Sequence, residues 1–210
     1  DSSISRIDLN AGDGADTITI GTLSGSAFTS FFVRGEAGND TISASGSSIS
    51  GYQLLLEGGA DNDFITGGSS RDVLDGGDGD DMITGESGDD ILLGGTGNDT
   101  ISGQNGNDRI FGGAGDDRIM GGNQNDTVDA GEGADCVFGN AGRDSLFGGG
   151  GADTLNGQAD NDTLDGGLGS DTLFGGAGQD VMIGGTGNDS LKGNSGRDYI
   201  SGGDGSDTLK

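Results

Sequence analysis

From Gly58 to Lys210 the sequence falls into 17 consecutive blocks of nine residues, with no insertion or deletion between them. Every block has aspartate at its sixth position, from Asp63 and Asp72 to Asp198 and Asp207, and an aliphatic residue at its eighth, from Ile65 to Leu209. A phase held this long argues against the disordered reading that 50 glycines and only 29% apolar residues otherwise invite. In a block such as GGAGDDRIM (112–120), glycines at positions 1, 2 and 4 permit a tight turn. Positions 7 to 9 suit a short strand with its middle side chain turned inward and its neighbours outward. Turn, strand, turn, strand makes one coil of 18 residues, and stacked coils make a two-edged β-solenoid.

The 18-residue period leaves its own trace. Alternate blocks, beginning at 58, 76, 94 and so on to 202, have glycine at position 2, and all but the first, with Asp61, have glycine at position 4. The intervening blocks carry Glu86, Gln104, Asn140, Gln158 and Asn194 at position 2, and Ser70, Gln124 and Asp160 at position 4. They alone place arginines at position 5: Arg71, Arg143 and Arg197. Two chemically unequal edges are what an 18-residue coil predicts. The first edge extends toward the N-terminus through AGDGADTIT (11–19) and GEAGNDTIS (35–43), where Asp16, Asp40 and Asp63 stand 24 and 23 residues apart. The expected organisation is therefore wider coils over 1–57 and a continuous roll over 58–210. Phe28, Phe31, Phe32 and Leu54 to Leu56 would give the wider coils a larger core and a cap.

The formal charge is -27, with no histidine and nine Lys and Arg. Such a surface repels nucleic acid and anionic membrane and attracts cations. No apolar run approaches the ~20 residues of a membrane span. Cys136 has no second cysteine to pair with. The start, DSSISRIDLN, has neither an initiator Met nor the build of a signal peptide, so the chain reads as a piece of a longer protein. Without histidine there is no Ser triad and no HExxH helix, and no phosphate-binding loop is present, so no catalytic residue is expected. Phe111 and Phe147, and Phe138 and Phe174, fall at position 9 and should point outward, each pair two coils apart. They read as scattered surface hydrophobics, with a docking stripe as the alternative.

Stacking brings position-6 carboxylates to about 5 Å from one another, where they repel. One buried aliphatic per nine ordered residues is a small return against the entropy of ordering them. An ion between the carboxylates resolves both problems. The donors are carboxylate and main-chain carbonyl oxygens, a set suited to a hard cation taking six to eight oxygens in irregular geometry. This favours Ca²⁺ over Mg²⁺, Zn²⁺ or copper.

The pattern GGXGXDXUX, with U aliphatic, resembles the nonapeptide of the RTX (repeats-in-toxin, hemolysin-type) family. The resemblance implies an all-β fold, a parallel β-roll or right-handed β-solenoid, with each Ca²⁺ between successive turns of one edge. The implied aspartate ligands are Asp16, Asp40, Asp63, Asp81, Asp99, Asp117, Asp135, Asp153, Asp171, Asp189 and Asp207 on the first edge. On the second they are Asp72, Asp90, Asp108, Asp126, Asp144, Asp162, Asp180 and Asp198. Carbonyls of Gly76, Gly77, Gly79, Gly94, Gly95, Gly97, Gly112, Gly113 and Gly115 would join them, as would those of Gly148, Gly149, Gly151, Gly166, Gly167, Gly169, Gly184, Gly185 and Gly187. Gaps between turns number ten on the first edge and seven on the second, hence up to about 17 ions, with sites near Arg71, Arg143 and Arg197 expected to bind weakly. Proteins similar to this leave bacteria unfolded through a type I channel and fold outside. The expected role is a secreted, non-enzymatic calcium-binding domain that folds on export and supports the other domains of a longer protein. The alternative is an adhesive, S-layer or filament-like element that contacts a surface or polysaccharide partner directly.

Overall fold

The aliphatic residue of each block fixes which way its strand faces, and the 18-residue spacing fixes which strand lies beside it. The computed structural model describes residues 6–21, 30–45 and 53–210. It contains 22 strands, and there is no helix among the described residues. Odd-numbered strands, from β1 (Arg6–Asp13) to β21 (Tyr199–Asp204), pair in chain order into one parallel eleven-stranded sheet, sheet A. Even-numbered strands, from β2 (Thr17–Thr19) to β22 (Thr208–Leu209), form the second, sheet B, in the same manner. The chain crosses from one sheet to the other at every turn, and this is the parallel β-solenoid expected from the repeat.

Register follows the period. Ile110 pairs with Leu92 on one side and Val128 on the other. At the N-terminal end Ile7 pairs with Phe31, and Phe31 with Leu54, so the coils there are wider. Strands β1, β3 (Ser30–Ala37) and β5 (Gln53–Ala60) are eight residues long, against six for the strands of sheet A that follow. The remaining extra length of the wide coils, including Phe28, lies outside the described residues.

Strands are longer than positions 7 to 9 suggested. β9 (Ile91–Thr96) runs through positions 7 to 9 of one block and 1 to 3 of the next, leaving only positions 4 to 6 as the turn. Position 1 faces the interior and admits only a very small residue, glycine in all blocks of the roll but one, where Ala130 is buried within the strand Thr127–Glu132. A Cβ on Gly94 would overlap both the Gly112 carbonyl and the Asp99 carboxylate.

The core is a single file. Position-8 side chains from Ile65 to Leu191 have no exposed surface and stack along the axis between the sheets. Phe31, Val33, Ile42, Leu54 and Leu56 widen this file at the N-terminal end. Phe32 departs from the alternation: it lies on the outer column of its strand, beside Leu55, yet is 5% exposed. The guanidinium groups of Arg6 and Arg34 cover its ring at 4.7 and 4.0 Å from the centroid, and Arg34 also pairs with Glu57. No helix among the described residues is long and apolar enough to cross a membrane.

Candidate metal centre

In most blocks the position-6 aspartate ends a three-residue turn and points its carboxylate back under the glycine that opened the block, as Asp81 does under Gly76 and Asp99 under Gly94. The structure brings these residues into two continuous rows. On the first edge the main-chain N–H of Asp16 donates to Oδ1 of Asp40 at 2.8 Å, and that of Asp40 to Asp63 at 2.7 Å. The row continues coil by coil through Asp99 to Asp117 (2.8 Å) as far as Asp189 to Asp207 (3.1 Å). The second edge repeats it from Asp72 to Asp90 (2.8 Å) up to Asp180 to Asp198 (3.1 Å).

In most of these carboxylates one oxygen is thereby used and the other is not. In fifteen of the nineteen aspartates Oδ2 is buried and has no hydrogen-bond partner. Native proteins carry only a few such groups per hundred residues, so a regular row of fifteen is a built feature rather than a packing accident. The neighbouring oxygens belong to the main chain. A Cβ added to Gly76 would meet Asp81 Oδ2 and the Gly94 carbonyl together. The carbonyls of Gly59 and Asp61 face Gly77 and Gly79 one coil on, where a side chain would again collide. Among the described residues no three carboxylate or thiol side chains converge on one point. Between successive turns, then, lie aspartate side chains from both turns and main-chain carbonyl oxygens beside them. This all-oxygen set, rich in main-chain donors, fits Ca²⁺.

Turn geometry is shared by both edges despite their different residues. Outside the block of Asp72, where neither Gly68 nor Ser70 does so, positions 2 and 4 take positive φ whether occupied by Gly95 (117°) and Gly97 (125°) or by Gln158 (77°) and Asp160 (75°). Every non-glycine residue with positive φ is Asn, Asp, Gln or Glu at one of these two positions. Asn and Asp are the side chains that tolerate the left-handed region best. The backbone beside Arg143 is of this kind too, with Asn140 at 75° and Asp144 Oδ2 unpartnered.

Asp72 differs. Its Oδ1 accepts the Leu54 N–H at 3.1 Å and its Oδ2 the Gly68 N–H at 2.9 Å, so both oxygens are already engaged. The residue one coil before it is Leu54, not a turn aspartate. Asp16, Asp198 and Asp207 are half-buried, at the two ends of the rows.

A second ladder escaped the sequence reading. Position-5 side chains accept the main-chain N–H of position 5 one coil later: Asn98 to Asp80 Oδ1, Asp116 to Asn98 Oδ1 and Ala134 to Asp116 Oδ1, each at 2.8 Å. Asn107 to Asp89 and Arg143 to Asn125 do the same on the second edge, both at 2.8 Å. The two ladders point in opposite axial directions. The recurrence of Asn or Asp at position 5 was the available signal.

Burial governs the electrostatics. It raises Asp81, Asp117 and Asp162 from the ordinary 3.8 to about 7, and Asp90 and Asp126 to about 8; the main-chain N–H bonds lower them, and neighbouring aspartates raise them further. Asp63, Asp108, Asp144 and Asp153 are raised to about 6, again chiefly by burial. Exposed Asp89 is lowered by its hydrogen bonds from Asn107 and by Arg71. Rows of carboxylates that resist ionisation alone gain most from a cation that shares their charge.

No curated protein matches the chain. The profile of the RTX calcium-binding nonapeptide repeat (4 copies) matches residues 32–48, 55–83, 84–119, 111–146, 138–173, 147–182 and 174–209. Repeats of this kind bind calcium and are typical of secreted bacterial proteins, in a structural rather than catalytic role. With these matches spread over the coils that carry the aspartate rows, the chain belongs to the RTX calcium-binding repeat family.

Proposed function

We propose that this roll is a calcium-dependent folding module of a secreted protein, non-enzymatic itself, that stays unfolded where calcium is scarce and folds outside the cell into a rigid support for neighbouring domains. The observation that carries this reading is the fifteen unpartnered Oδ2 atoms. Ionised and unpaired, they oppose the fold; bridged by Ca²⁺, they hold successive coils together. The position-6 aspartates and turn carbonyls are the proposed ligands. Asp72 is the exception, because its oxygens already accept two N–H groups. The gap between Asp72 and Asp90 is accordingly the weakest of the second edge, leaving up to ten ions on the first edge and six on the second, of which those near Arg143 and Arg197 are the weaker. The wider coils of 1–57 form a hydrophobic start on which the 58–210 roll is built.

Far-UV circular dichroism during a calcium titration, with Mg²⁺ as control, tests the reading. The expected result is a cooperative gain of β signal at roughly 10⁻⁴ to 10⁻³ M Ca²⁺, the range of extracellular modules, and none with Mg²⁺. A full β spectrum in chelator would refute the folding switch.

A further inference from the structure

The two sheets differ in charge far more than a repeat requires. Strands of sheet A carry ten carboxylates and three arginines. Those of sheet B carry one carboxylate, Glu86, and two bases, Arg118 and Lys192. In a chain of net charge -27, one broad face is thus almost free of acids. Calcium bound along the turns leaves this difference between the faces intact.

Position 9 is the third of six strand residues, so its column runs near the middle of each outer face. On sheet A the column reads Leu93, Phe111, Asp129, Phe147, Asp165 in adjacent strands. On sheet B it reads Met120, Phe138, Asn156, Phe174, Lys192. Laid side by side in the same axial direction, the columns match over these five steps: Leu93 meets Met120, Phe111 meets Phe138, Asp129 meets Asn156, Phe147 meets Phe174 and Asp165 meets Lys192. Phe111 and Phe147 are 42% and 39% exposed, more than the interior of a face needs. Phe138 and Phe174 are half-buried, and Arg118 lies over the Phe138 ring at 5.1 Å.

We propose that the outer face of sheet A is a docking surface for the outer face of sheet B on a second copy of this chain, with the roll axes parallel and the position-9 columns in this register. Strands in both copies repeat at one spacing, so a match at one coil is kept at the next. Across the eight coils of 58–210 the face is about 20 Å by about 40 Å, on the order of 800 Å² per partner, the size of a stable interface. Because the two surfaces differ, every assembly keeps one of each free at its two ends, and the association is an open lateral stack rather than a closed dimer. The inference rests on the calcium-folded roll proposed above, since an unfolded chain has no faces.

The test is sedimentation velocity of the full chain in millimolar Ca²⁺ over a wide concentration range, with circular dichroism on the same samples. Wild type should form a concentration-dependent series of oligomers. Phe111→Ser/Phe147→Ser and Phe138→Ser/Phe174→Ser should each raise the association midpoint roughly tenfold or more. An equimolar mixture of the two should stop at a dimer, because only one intact pair of faces remains. Asp165→Lys should weaken association, and adding Lys192→Asp should restore it. A folded wild type that stays monomeric would overturn the proposal, as would self-association of either double variant at wild-type strength. So would a folded monomer that instead sediments with phosphatidylserine vesicles. Absence of any calcium-induced β signal would overturn the folding reading, and this inference with it.

Discussion

Asp117 performs two tasks with its two oxygens, and two substitutions separate them. Its Oδ1 accepts the Asp99 N–H at 2.8 Å, while its Oδ2 is buried without a partner. Asn keeps the acceptor and removes the charge; Ala removes both. Leaving the Asp99 N–H unsatisfied costs about 1–3 kcal/mol. At saturating calcium, Asp117→Ala should therefore be less stable than Asp117→Asn by that amount. Both variants share the loss of a carboxylate from the gaps toward Asp99 and Asp135. With a urea dependence of about 2 kcal/mol per molar, the two midpoints should differ by roughly 0.5–1.5 M. Without calcium at neutral pH the effects should diverge in sign. Asn removes a charge that burial and the carboxylates of Asp99, Asp135 and Asp116 all disfavour, so residual β content should rise, whereas Ala forfeits a hydrogen bond. Urea unfolding followed by circular dichroism, with and without calcium, measures each quantity. Equal midpoints for the two variants in calcium would refute the division of labour, as would a loss of β content in calcium-free Asp117→Asn.

Acid should partly replace calcium. Carboxylates whose folded-state pKa is raised to between about 6 and 8 bind more protons folded than unfolded. Their contribution to the apo fold is thus fully present below 3.8 and lost as pH rises through that upper range. Calcium-stripped protein should gain β signal from pH 8 to pH 5, and the calcium midpoint should rise over the same interval; pH-independent spectra and midpoints would contradict this. At position 2, Gly176→Asn should be tolerated at a small cost, because a Cβ there meets the Gln158 carbonyl until φ falls from 112° toward the 75° and 69° of Asn140 and Asn194. Gly176→Val should be less stable than Gly176→Asn by about 1–2 kcal/mol, read from urea midpoints in calcium. Leu155→Ala should cost about 2–5 kcal/mol in the same assay, since Leu155 is wholly buried in a one-residue-wide core with little room to collapse.

The period was legible because two positions admit so few residues. Asp at position 6 and an aliphatic at position 8 fix the phase, and Arg71, Arg143 and Arg197 on alternate blocks reveal the second edge. Features that depend on what lies one coil away were not legible. Asp72 holds the same position 6 as its neighbours, in the one block with serine at position 4 (Ser70), yet nothing in that block foretold that Leu54 and Gly68 would bind its carboxylate, because the coil before it is of another kind. The position-5 ladder was hidden because Ala134 and Arg143 contribute only a main-chain N–H and so may be any residue. Phe32 looked like core and is covered from outside, by arginines whose approach depends on the pairing of β1 with β3.

The alternation of sheets at every turn sets the increment by which such a gene can lengthen or shorten. Phe111 lies on sheet A and Met120, nine residues later, on sheet B. Duplication of one nonapeptide would preserve every motif yet send each downstream turn to the opposite edge and each outward side chain to the opposite face. Duplication of two would return all of them to their places, one step farther along the axis. The heritable unit is therefore the pair, and a nine-residue slip, silent to a motif search, would exchange the acidic face for the nearly acid-free one from that point onward.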